Sequence, residues 1–150
     1  MGVDCASKKT GIAIMRGERL IYNELYNSEL PPNAEDKELA YALKSFKKRL
    51  AHLGKKYKIN KIVVELTGVQ RNTNTLRLLS YFEAIVILVA MELNVGIERV
   101  RTTSVRKSVL GSGNIQKRDV VAKIISIYGE MSEDEAEAVA FALRGSNLTL

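Results

Sequence analysis

The sequence predicts an α/β fold: a five-stranded mixed sheet, its first three strands antiparallel and its later strands parallel, flanked by helices. Three observations predict it. Residues 2–28 hold short apolar runs broken by turn signals. From Leu39 onward the apolar spacing changes to alternating fours and threes, which marks a helical face. Beyond that point helical stretches alternate with single apolar strands, the pattern of a sheet covered by helices.

The elements follow in order. GVDCA, TGIAIMR and RLIYNELY read as three strands, separated by Ser7-Lys8-Lys9 and Gly17-Glu18, and such short connections imply antiparallel pairing. Leu39, Leu43, Phe46, Leu50, Leu53 and Tyr57 then share one helical face, with Asn33 as the expected N-cap and Lys55, Lys56 and Lys58 at the cation-favouring C-terminus. KIVVEL is apolar on both alternating faces, as a central parallel strand must be. Thr75–Leu93 is a second long helix, apolar nearly all round through IVILVAM and so expected to be buried. A short strand at Ile97–Val100, a small helix from Ser104 to Leu110 and the loop Gly111-Ser112-Gly113-Asn114 follow. The next helix carries the apolar stripe Val120, Val121, Ile124, Ile125 and Tyr128, and a last one starts at Ser132 and runs to about Arg144. With no repeat or long linker, residues 1–150 are expected to form a single domain.

Composition narrows the function. One cysteine, Cys5, allows no internal disulfide and no cysteine zinc site, and the lone His52 excludes a histidine-rich metal centre. The expected setting is intracellular and soluble, in the cytoplasm or nucleoid: there is no secretory signal, and the most apolar stretch, Ile85–Met91, is too short to span a bilayer. The 23 basic residues outnumber the 17 acidic ones, a net +6 that favours an anionic partner such as nucleic acid, although charge also serves solubility.

Four acids are unusual for where they sit. Asp4 lies inside an apolar strand and Glu65 at the C-terminal end of the central strand. Asp134 and Glu137 are three apart on the last helix and share a face. Glu133, Asp134 and Glu135 have an ordinary explanation as first-turn acids, Ser132 and Glu135 forming a capping-box pattern. Glu137 has none. It interrupts AEAVAFAL, where an unpaired charge costs about 3–5 kcal/mol, so it requires a lysine, an arginine or a metal. If the strands of Asp4 and Glu65 are neighbours, about 4.8 Å apart, their carboxylates can meet at one end of the sheet. Oxygen-only ligands suit a hard ion, Mg²⁺ or Mn²⁺, and two such ions can activate water and stabilise the leaving oxygen in phosphodiester hydrolysis.

These same segments resemble a known family. GVDCASKKTGIAI is similar to the opening strand and turn of RuvC-type Holliday junction resolvases, with the first catalytic aspartate at Asp4. VVELTG resembles the segment of the second carboxylate, Glu65, and DEAEAVAFAL the final helix with paired acids at Asp134 and Glu137. SVRKSVLGSGNIQKRDVVAKI resembles the basic stretch, glycine loop and helix between them. The resemblance implies an RNase H-like fold, a homodimer, two Mg²⁺ ions (with Mn²⁺ as substitute) and paired nicks in four-way DNA junctions. It places functional lysines at Lys117 and Lys107. Two departures from the family pattern stand out, and the second of them, at Gly68, points toward a viral or otherwise divergent member. Glu137 stands where aspartate is commoner, and Gly68 occupies the position at which cellular members often carry an aromatic that stacks on junction bases.

Lys117 and Arg118 open a helix, where the dipole disfavours cations unless phosphate docks at the glycine loop. Further DNA contacts are expected from Lys8, Lys9 and Arg71, with Arg77 also near a backbone groove; each also has a reading as a solvated turn or helix residue. Cys5 is read as strand packing and His52 as pointing to solvent, and the apolar Thr75–Leu93 helix is the expected dimer interface. Three rivals remain. An actin-like or sugar-kinase ATPase would need a second domain for which 150 residues leave no room. A non-catalytic RNase H-like binding module would be expected to have lost an acid. A nuclease of RNA–DNA hybrids or flaps shares the same chemistry, and substrate choice then lies in surface shape.

Overall fold

The computed structural model describes residues 1–31, 33–68, 72–111 and 114–148. Strands β1 (Gly2–Asp4), β2 (Lys9–Arg16), β3 (Arg19–Asn27), β4 (Lys61–Glu65) and β5 (Gly96–Val100) form one sheet in the order β3-β2-β1-β4-β5. β2 pairs antiparallel with both β1 and β3, while β4 pairs parallel with β1 and β5. This is the mixed, RNase H-like arrangement expected from the sequence. The first strand is shorter than GVDCA, ending at Asp4.

Helices α1 (Asp36–Lys56) and α2 (Thr73–Leu93) cover one face of the sheet. There Phe46, Leu50, Leu53, Phe82, Val86 and Val89 pack on Val3, Ile12, Ile62 and Val64. Helices α3 (Thr102–Leu110), α4 (Lys117–Tyr128) and α5 (Glu133–Gly145) cover the other, enclosing Ala13, Val63 and Val100. Two expectations need correction. The cap of α1 is Glu35 and not Asn33: the Glu35 N–H donates to the Glu38 carboxylate at 2.8 Å, and this capping box leaves Asn33 outside the helix. Nor is α2 buried all round. Phe82, Glu83, Val86, Val89 and Ala90 face the core, but Tyr81, Leu88 and Met91 are 40%, 51% and 72% exposed. The sheet and α1 cover only part of its circumference.

The tightest contact in the fold is between α5 and the sheet. A Cβ on Gly2 would lie 2.0 Å from the Ala138 carbonyl oxygen and 2.4 Å from the Ala142 nitrogen. One on Gly11, which pairs with Asp4 across β1 and β2, would lie 1.9 Å from the carbonyl oxygen of Asp134. Both obstacles are helix backbone, which cannot step aside as a flexible side chain can. Glycine at both positions, with alanines at 138 and 142, lets α5 lie directly on the strands.

Gly11→Ala is expected to overpack this contact at a cost of about 1–3 kcal/mol. A chemical-denaturation midpoint shifted accordingly would show it. Gly68→Ala serves as control, since a Cβ there meets nothing within 4 Å; a Gly11→Ala midpoint equal to that of the control would refute the packing argument.

Candidate active site

Strand register brings the acids together. Gly2 pairs with Val63 and Val3 with Val64, so the next step along each parallel strand sets Asp4 beside Glu65. Side chains alternate across a strand. Val3 and Val64 enter the α1–α2 core, and Asp4 and Glu65 therefore project to the face covered by α5, on which Asp134 and Glu137 lie. Asp4 is only 8% exposed, as is Glu137. Burial, then the charges of Glu137 and Glu65, push the Asp4 carboxyl up to about 8, with Lys117 pulling the other way. The Asp134 carboxyl is also raised, first by burial, against the pull of Lys117.

The cation demanded by Glu137 is present twice. Lys117, at the first turn of α4, reaches Glu137 at 2.6 Å and Glu133 at 2.7 Å. Arg106 on α3 approaches Glu137 at 3.6 Å, and its Nε is buried without a hydrogen-bond partner among the described residues. Burial works against the Lys117 charge, yet hydrogen bonds to Glu133 and Glu137 outweigh it and hold the ammonium charged well above the ordinary lysine range. Glu135 is structural: it completes the capping box with Ser132 and accepts from Asn23 at 2.7 Å.

The remaining expected residues divide. Lys9 is exposed at the first position of β2, close enough to act on Asp134 electrostatically, and Lys8 is exposed on the turn before it. Arg118 points outward, 86% exposed, toward Asp119 at 3.6 Å, away from the acids. Lys107 is exposed on α3, and it is Arg106, one position earlier, that turns to Glu137. The signal for this was in the sequence: Val105 and Val109 define the inward stripe of α3, on which Thr102 and Arg106 also fall while Lys107 lies beyond it. Thr102 was missed for the same reason; its hydroxyl donates to Oε1 of Glu65. Arg71 and the loop residues Ser112 and Gly113 lie outside the described residues. Arg77 is exposed and lines a groove with Leu39 and Tyr81. Cys5 is buried in the core, where burial pushes its thiol up, and His52 is exposed.

One further buried acid was not foreseen. Glu83, on the core face of α2, accepts from Arg99 Nε at 2.5 Å and from the Thr67 backbone N–H at 3.3 Å. It thus ties the first residues after Glu65 to α2 and β5.

Among the described residues no three acid, histidine or cysteine side chains gather closely enough to cage an ion as the chain stands. The chemistry of the set nevertheless fits a hard divalent cation. Four carboxylates supply only oxygen donors. Among the described residues these four carboxylates face only two cations at Glu137, Lys117 and Arg106, and burial first, then the acidic neighbours, lift the Asp4 carboxyl to about 8.

An RNase H-like sheet with acids at the ends of β1 and β4 and on the helix packed over them defines the class of RNase H-like nucleases. The family model for Crossover junction endodeoxyribonuclease RuvC matches residues 1–144, and the chain belongs to that family of DNA-cutting hydrolases. Proteins of that name from Brachyspira hyodysenteriae and Ehrlichia canis are each 25% identical over 146 residues, 95% of this chain and 90% and 92% of theirs. In fold, the chain is similar to Thermus thermophilus RuvC in complex with a Holliday junction substrate. The TM-score is 0.77 at 20% identity, covering 95% of this chain and 88% of that one. A second Thermus thermophilus RuvC structure gives a TM-score of 0.78 at 17% identity, covering 97% and 92%.

Replacing Arg106 removes a partner of Glu137, and such supporting partners are worth about 10–100-fold in activity. Arg106→Ala is expected to slow single-turnover DNA cleavage within that range, while Lys107→Ala changes it by less than about threefold. Equal losses in the two variants would refute a distinct role for Arg106 at Glu137.

Proposed function

We propose that this chain is a structure-selective endonuclease that resolves four-way DNA junctions by metal-dependent hydrolysis, acting as a single-domain homodimer in the nucleoid. The observation that carries the reading is the assembly of Asp4, Glu65, Asp134 and Glu137 on one face around Lys117, in a chain of the RuvC family. The Thermus thermophilus relative of the same fold was solved on a Holliday junction substrate.

In this reading the four carboxylates hold two Mg²⁺ ions, for which Mn²⁺ can substitute. Bound there, the ions would supply the Lewis acid and the activated water of phosphodiester hydrolysis. The chain's own residues do the rest. Arg106 restrains Glu137, and Glu133 keeps Lys117 at the edge of the site, where its ammonium can meet a phosphate. Lys8 on the β1–β2 turn and Lys9 at the start of β2, with Lys107, Arg118 and Arg71, are proposed to track the DNA backbone. Gly68 presents no side chain for stacking on bases, a feature that favours a broader choice of branched substrates as the second reading.

The dimer is proposed to form through α2, whose Tyr81, Leu88 and Met91 make an exposed apolar stripe at positions that recur on one side of a helix. Among the described residues no helix is long and apolar enough to cross a membrane, so the stripe is not part of a spanning segment.

The test is incubation with a labelled four-way junction, a matched duplex and a flap, with Mg²⁺ or with EDTA. Symmetric, metal-dependent nicks confined to the junction are expected; cutting of the flap as well selects the second reading, and tight binding without cutting selects a non-catalytic module. Asp4→Asn is expected to abolish cutting while retaining junction binding, and a wild-type rate in that variant rules the site out. Sedimentation should give a dimer at micromolar concentration and a monomer for Leu88→Glu/Met91→Glu. A wild-type monomer, or a double variant that stays dimeric, would remove α2 from the interface.

A further inference from the structure

Helix α3 begins immediately after β5, whose Val100 pairs with Glu65. Its N-cap is Arg101, which makes no side-chain cap, so the hydroxyl of Thr102 at the first helical position is not used to terminate the helix. That hydroxyl instead donates to Oε1 of Glu65. Among the described residues the other oxygen, Oε2, has no hydrogen-bond partner. One turn further on, Arg106 faces Glu137, so two successive turns of the same helix meet two of the four acids. The helix is itself anchored, since Val105 and Val109 are buried against α5.

We infer that Thr102 is a positioning residue that fixes the rotamer of Glu65, reserving Oε1 for the hydroxyl and presenting Oε2 alone to the cation. The physical basis is that a carboxylate with two free oxygens is torsionally loose and can bind through either or both. One committed to a fixed donor offers a single oriented lone-pair set, and hydrogen-bonded partners of ligating carboxylates act on metal affinity in this way. Thr102 itself touches neither ion nor DNA in this scheme. The inference rests on the proposed metal role of Glu65.

Thr102→Val keeps the shape and removes the hydroxyl, Thr102→Ser keeps the hydroxyl, and Thr102→Ala removes it without adding a methyl. Mn²⁺ binding to the purified protein, followed by the loss of the free-ion electron paramagnetic resonance signal, reads the effect without any reaction. Single-turnover junction cleavage against Mg²⁺ concentration and junction binding in EDTA complete the set. The valine and alanine variants are expected to bind Mn²⁺ about tenfold more weakly and to need correspondingly more Mg²⁺. Thr102→Ser should stay within about twofold of wild type, and metal-free junction binding should be unchanged in all three. Wild-type Mn²⁺ affinity in Thr102→Val overturns the inference, as does a Thr102→Ser variant as weak as Thr102→Val. Asp4→Asn separates the two levels: if it loses Mn²⁺ while Thr102→Val does not, only the role of Thr102 fails. If it binds Mn²⁺ as the wild type does, the metal reading of the site fails and takes this inference with it.

Discussion

The end of this molecule that carries the four acids depends on how closely helix α5 lies on the sheet. Two absent side chains, at Gly2 and Gly11, set that distance, because helix backbone occupies the space their Cβ atoms would need. Asp134 and Glu137 ride on α5, while Asp4 and Glu65 ride on β1 and β4. With Asp134 directly over Gly11, and Gly11 opposite Asp4, the helix cannot lift without drawing two acids away from the other two. The small residues are thus as much part of the site as the charged ones.

Close approach creates an electrostatic problem that the surrounding helices answer. Carboxylates crowded in a poorly solvated cleft raise one another's pKa. Lys117 from α4 and Arg106 from α3 both converge on Glu137, so each helix of this layer contributes a charge to the same place. The result is a partial balance. The acid most deeply placed in the sheet, Asp4, remains in an environment that favours its neutral form until more positive charge arrives.

Much of this was legible in the sequence, for identifiable reasons. Asp4 and Glu65 stood out because a charge inside an apolar strand contradicts its surroundings, and Glu137 stood out because it interrupts a helix apolar all round. The capping box at Ser132 was readable because both partners are local. Long-range choices were not. Whether Arg106 or Lys107 turns inward depends on the rotational phase of a nine-residue helix, and only the Val105–Val109 stripe hints at it. The hydroxyl of Thr102 gains meaning only once β5 is known to lie beside β4. Asn33 looked like a cap because its type is favoured there, yet the cap falls two residues further along at Glu35, whose N–H donates to the Glu38 carboxylate. The IVILVAM run was read as buried from composition alone, which cannot say how much of a helix its neighbours will cover.

Glu83 gives the architecture a property of a different kind. By holding the Thr67 backbone and Arg99 together, it clamps the chain two residues past Glu65, on the opposite face of the sheet from the acids. Gly68, directly beyond that clamp, is exposed, and a Cβ there would meet nothing within 4 Å. A position of this kind can change its side chain without disturbing the carboxylates. The side chain presented at position 68 and the placement of the four acids are therefore separable, so one can be varied while the other is kept.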